Sequence, residues 1–166
     1  MREIALHMAD IAENSLAAGA ARIKLSVMID RAADRLTTAV EDNGRGMDAD
    51  TLYRCTDPFM TTRTARRVGL GLALFKLSAE QSGGSFTIRS EQGRGTRAEA
   101  AYIISGIDRA PLGSIAETMA ALIAANPETD FTLEYAADGK AFAFATDTIP
   151  YHDRTPAFAA AAKKEQ

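Results

Sequence analysis

Asp42-Asn43-Gly44-Arg45-Gly46-Met47 carries more architectural information than any other stretch of this chain. It follows a strand-like run, Leu36 to Glu41, and precedes a short helix-like one, Asp48 to Arg54. A carboxylate beside two glycines suits adenine recognition. Asp42 accepts a hydrogen bond from an exocyclic amine, and residues without a Cβ let the main chain approach a flat base. An Asp-Asn-Gly turn between strands has a plain structural reading as well. Three other stretches at fitting distances add weight: Asp10-Ile11-Ala12-Glu13-Asn14 upstream, then Gly69-Leu70-Gly71-Leu72 and Gly93-Arg94-Gly95-Thr96 downstream.

Working outward, Ile4 to Ala18 reads as a helix. Ile4, Met8, Ile11, Ser15 and Ala18 fall on one face; His7, Asp10, Asn14 and Ala17 fall on another. Gly19 ends it. Ile23, Leu25, Val27 and Ile29 alternate with less apolar residues, so this strand and Leu36 to Glu41 should pair as a hairpin. Residues 56–68 lack a period and read as a loop. Leu70, Leu74 and Leu77 mark a helix that ends at Gly83-Gly84. Ser85 to Ser90 and Arg97 to Ile104 are two more strands around a glycine-rich turn. This order predicts an α/β two-layer sandwich, with helices on one face of a mostly antiparallel mixed sheet.

At the four quoted stretches the chain resembles a known family over roughly Ile4 to Ile104. It is similar to the ATP-binding domain of sensor histidine kinases, anti-sigma-factor serine kinases, type II topoisomerases, Hsp90 chaperones and MutL repair proteins, and to small stand-alone ATP-binding proteins. The resemblance implies the Bergerat-type fold and Mg2+-ATP as ligand. It implies adenine contacts from Asp42, Gly44, Gly46, Met47 and Thr96, and a magnesium ligand in Asn14. Asp10 matches a position that carries a glutamate in the ATPase and serine-kinase branches and often an asparagine in histidine kinases. Here the carboxylate is kept on a shorter side chain, as a candidate catalytic base. Arg63 and Arg67, with Arg66, would meet phosphates through planar forks that match phosphate oxygens. Gly69, Leu70, Gly71 and Leu72 open a helix whose free N–H groups and dipole favour a triphosphate. Where the kinases have a further glycine, this chain has Arg67. Phe59 reads either as a plug against the lid or as a core residue, and His7 as a packing residue.

Beyond Gly106 the resemblance stops. Ser114 and Glu117 form a capping box before a helix with Ile115, Met119, Leu122 and Ile123 on its apolar face. Phe131, Leu133 and Tyr135 form one strand and Phe142 and Phe144 another, around Asp138-Gly139. The expected organisation is a nucleotide-binding domain at residues 1–105 and an α-β-β extension at 106–149, packed on that domain or on a partner. A flexible or weakly helical tail is expected at 150–166.

Bulk composition narrows the function classes. A net charge of -3 argues against binding a phosphate backbone broadly. No apolar run is long enough to span a bilayer, and Met1 to Ile4 lacks the core of a secretion signal; a cytoplasmic protein is expected. The single cysteine, Cys55, excludes an internal disulfide and reads as a small buried residue. There is no P-loop, and Leu74 stands where a Rossmann fingerprint needs its third glycine. The function expected is an ATP-dependent kinase-type domain in signal transduction that phosphorylates a separate protein in trans. Two alternatives stand beside it: an ATP-switched binding module with little turnover, and a slow ATPase that forms a homodimer on binding ATP.

Overall fold

A computed structural model describes residues 2–57, 59 and 66–164, with the side chains of 66–69 excepted. Its helices are α1 (Ile4–Ala17), α2 (Ala49–Arg54), α3 (Arg66–Gln81), α4 (Ile115–Ala125) and α5 (Arg154–Lys164). Its strands are β1 (Arg22–Asp30), β2 (Arg35–Asp42), β3 (Ser85–Glu91), β4 (Gly95–Ile103), β5 (Asp130–Ala137) and β6 (Lys140–Ala145). The strands form one sheet in the order β3-β4-β2-β1-β5-β6. Every neighbouring pair is antiparallel except β1 and β5, which run parallel. The expected sandwich with a mostly antiparallel mixed sheet is what the chain forms.

Alternation explains the layers. Ile23, Leu25 and Val27 on β1, Leu36 and Val40 on β2, and Phe131 and Leu133 on β5 point to one face and are buried. The helices cover that face as a row, with contacts running α3–α1–α4–α5. The other face carries Lys24, Glu41, Arg97 and Glu99, joined by the ion pairs Arg97–Glu41 and Arg97–Glu99 at 2.8 and 2.7 Å. Local signals set the element ends. Asp48 caps α2 by accepting from Thr51 N at 2.7 Å, and Ser114 caps α4 by accepting from Glu117 N at 3.1 Å. Asp138 and Gly139, at φ 49° and 87°, form the tight turn between β5 and β6.

The residues after Gly106 continue the same sheet and the same core. Leu25 pairs with Leu133 across β1 and β5, and Met119, Leu122 and Ile123 of α4 join the buried cluster. The start of α1 is held there too: Ile4 N and Ala5 N donate to Pro111 O and Leu112 O, both at 2.9 Å.

Two expectations are corrected. Residues 151–164 are not a loose tail: a 3-10 turn at Tyr151–Asp153 leads into α5. Phe158 packs edge-on against Phe144 and is buried. Helix α3 starts at Arg66, three residues before Gly69, so Gly69 to Leu72 lie within the helix and do not open it. The unpaired N–H groups of a helix belong to its first four residues, which places them at residues 66–69 and not at Leu70 to Leu72.

Candidate functional site

Helix α1 and the end of β2 build the site between them. Asp42 closes β2, and its side chain turns toward the helices. Its Oδ2 accepts from the Ser15 hydroxyl at 2.6 Å and its Oδ1 from Gly44 N at 2.8 Å. Ser15 is buried, and Ile11 O, 3.1 Å from its oxygen, is the alternative acceptor for its one proton. The carboxylate is therefore fixed in direction by one side chain and one main-chain donor. Asn43 fastens the turn below it: its Oδ1 accepts from Ala21 N and Arg22 N at 2.9 and 2.8 Å.

The two glycines of the turn serve close packing. Gly46 adopts φ 68°, and a Cβ there would overlap the Glu91 carbonyl of β3. A Cβ on Gly44 would stand 2.9 Å from Ala18 O at the end of α1. Their closest described neighbours are thus protein main chain. Met47 is partly buried, and its N–H donates to Ser90 Oγ at 2.8 Å. Ser90 also donates to Gly95 O at 2.9 Å and meets Thr96 Oγ1 at 2.8 Å. Thr96 is the β4 partner of Asp42 in the ladder, so the aspartate and the threonine stand side by side.

One helical turn along α1, Asp10 and Asn14 face α3. A Cβ on Gly71 would lie 3.6 Å from both Asn14 Nδ2 and Asp10 Cβ, an ordinary contact distance, so α3 passes directly beside this pair. Asp10 is engaged: Arg2 meets its two oxygens at 2.8 and 3.2 Å. Glu13, its neighbour in the motif, is exposed. His7 is buried against Phe75, with ring centroids 6.3 Å apart, and its Nδ1 has no partner among the described residues. Burial, with a smaller contribution from Arg2 that Asp10 opposes, pushes the imidazole below its ordinary pKa. It is held as a neutral packing group.

Leu72 is a core residue, 4% exposed, and Leu70 is half exposed at 47%. Phe59 is 93% exposed, which excludes its reading as a core residue. Cys55 is buried, and its thiol is pushed above the usual range by burial. Arg63 and the side chain of Arg67 lie outside the described residues. Among the described residues no group of three or more His, Cys, Asp and Glu could hold a metal, and no helix is long and apolar enough to cross a membrane.

Residues 2–103 match the family described as histidine kinase-, DNA gyrase B- and HSP90-like ATPase. The chain belongs to that family. The matched segment runs from α1 to β4 and contains every site residue named above, so this part of the chain is its ATP-binding domain. The sensor protein kinase FleS of Pseudomonas aeruginosa is 42% identical over 108 residues, 65% of this chain and 26% of that protein. The alginate biosynthesis sensor protein KinB of Pseudomonas aeruginosa is 34% identical over 89 residues, 53% of this chain and 15% of its own length. The chain thus spans about a quarter or less of these relatives. The solved ATPase domain of Aquifex aeolicus MutL, complexed with ADP, aligns with a TM-score of 0.65 at 16% identity, over 94% of this chain and 68% of that one. That likeness concerns the fold.

Sequence reasoning missed three residues of this candidate site: Ser15, Asn43 and Ser90. Ser15 stood on the predicted buried face, yet its partner Asp42 is 27 positions away. Ser90 links Met47 and Thr96 from a strand whose pattern assigns it only a place in the pleat.

Proposed function

We propose that this chain binds Mg2+-ATP as a kinase-type domain and phosphorylates a separate protein. The observation that carries the reading is the convergence of Asp10 and Asn14 with α3 at Gly71, on the same helix whose Ser15 orients Asp42.

The chemistry follows from the donors and acceptors. Each Asp42 oxygen has accepted one protein hydrogen bond, and a carboxylate oxygen has room for another. The adenine amine supplies that donor. Guanine would present an oxygen there, and the unpaired acceptors would cost about 1–3 kcal/mol, so ATP is selected over GTP. When Ser90 gives its single proton to Gly95 O, Thr96 donates to Ser90 and keeps its own lone pairs open beside Asp42.

Asn14 offers an amide oxygen, a hard donor of the kind magnesium takes. One such ligand suffices for an ion that shares phosphate oxygens, and the lack of a carboxylate or imidazole cluster among the described residues fits that arrangement better than a resident metal. Bound with the nucleotide, magnesium would neutralise phosphate charge. Arg63, and Arg67 from the first turn of α3, would add to this. Asp10 is the base for an attacking hydroxyl once Arg2 releases it. A carboxylate helps a hydroxyl more than an imidazole, which favours a serine or threonine acceptor over histidine. A protein of this kind works in the cytoplasm, where its nucleotide is.

Labelled ATP incubated with the chain and a cell extract tests the reading. The expected result is labelled protein with wild type and none with Asp10→Asn, while calorimetry gives both the same ATP affinity. A wild-type chain that binds no ATP would overturn it.

The Arg2–Asp10 pair favours a second reading. With both carboxylate oxygens engaged by a guanidinium, the chain is equally suited to bind ATP and change a partner surface without turnover. In that case Asp10→Asn leaves partner affinity unchanged and no phosphoprotein forms with either chain.

A further inference from the structure

We propose that the trough between α4, α5 and the β5–β6 ribbon is a second ligand site, one that takes a small apolar carboxylic acid. Its volume is about 430 Å³, within the range of pockets that hold small organic ligands. Leu112 and Ile115 form one wall, Leu133, Tyr135 and Phe142 the floor, and Phe158 the far wall. These residues follow the segment that matches the ATPase family, which ends at residue 103.

The trough also lies away from Asp42. In the ladder, Asp42 stands opposite Ile23, whose β5 partner is Phe131. Lys140 pairs with Ala137 at the other end of β5. The nucleotide site and the mouth of the trough therefore occupy opposite ends of the strands.

Charge selects the occupant. Lys140 is the only charged side chain among the described residues that line the trough. It has no ion-pair partner among the described residues, and the nearest carboxylate of its hairpin, Asp138, is paired with Arg31. The Tyr135 hydroxyl adds a donor on the same ribbon. An alkyl or aryl body covers the apolar walls while a carboxylate meets the lone ammonium. A cationic amphiphile of the same size meets a like charge, and a neutral one forms no ion pair with the ammonium.

The test is a methyl-resolved NMR titration of the whole chain, without nucleotide, using octanoate, 1-octanol and octylamine below their micelle points. The expected shifts concentrate on the methyls of Leu112, Ile115 and Leu133. Octanoate binds most tightly and octylamine least. Lys140→Glu, a change at an exposed position, weakens octanoate about tenfold and reverses the order of octanoate and octylamine. Absence of shifts at those methyls, equal response to the three amphiphiles, or an order that Lys140→Glu leaves unmoved would each overturn the proposal. No nucleotide enters the titration, so its failure leaves the ATP reading standing, and the reverse holds.

Discussion

Asp42 accepts from one main-chain donor and from one hydroxyl that can turn, so its surroundings can adapt to a change of its charge, and this makes it a clean probe of nucleotide binding. In Asp42→Asn Gly44 N keeps the carbonyl oxygen, while the Ser15 hydroxyl can give its proton to Ile11 O and accept from the new NH2, so the fold is retained. The amide can turn its NH2 toward the adenine amine, donor against donor. ATP affinity should fall by at least tenfold by calorimetry, with little change in melting temperature. Gly46 behaves in the opposite way. At φ 68° and against the Glu91 carbonyl it tolerates no Cβ, so Gly46→Ala should destabilise the chain by about 3 kcal/mol in urea unfolding. His7 gives a pH signature. Its native pKa lies below the ordinary imidazole value of 6.5, so the unfolded chain binds the proton more readily. The His7 contribution is fully present above about pH 6.5 and is lost as pH falls through the native pKa. The urea midpoint of wild type should fall relative to that of His7→Phe with decreasing pH in that window, because only wild type carries the titrating group. Asp42 and Asn14 were legible as candidates because their motif neighbours are local. Ser15 and Ser90 were not, since a serine declares its partner only when folding brings that partner within about 3 Å.

Among the elements, the least legible was the last. The alanine-rich run after Pro156 has a weak apolar stripe of its own, and α5 is a helix because Phe158 has Phe144 to pack on. Arg154 anchors its start. It is 3% exposed and donates to Ile149 O, Pro127 O, Thr129 O and Asp130 Oδ1, at 2.9–3.0 Å. Arg154→Ala leaves those carbonyls and a carboxylate unpaired and should cost about 3 kcal/mol. Circular dichroism should report the loss of α5 before the main transition. The capped helices α2 and α4 were legible from Asp48 and Ser114, whose partners are three residues away. The start of α3 was not, because glycines inside a helix read locally as a loop.

At the scale of the molecule, the parallel pairing of β1 with β5 joins segments about a hundred residues apart. Deleting residues 106–164 would expose the β1 edge and the apolar side chains of its inner face, and would remove the acceptors of Ile4 N and Ala5 N at the start of α1. The shortened chain, although it retains the family match, should lose cooperative unfolding and aggregate, as read by light scattering.

The amino-acid sequence by itself determined the kinds of element, the hairpins at Asp30 to Arg35 and Asp138-Gly139, and the family, and it marked Asp10, Asn14 and Asp42 as candidates. Each rests on periodicity, turn chemistry or short motifs, which act over a few residues. Only the tertiary structure decided that β5 lies beside β1, that Arg2 holds Asp10, that Ser15 aims Asp42 and that a trough opens beside Lys140. Those contacts join positions distant along the chain, and their energies exist only after the backbone has closed the distance between them.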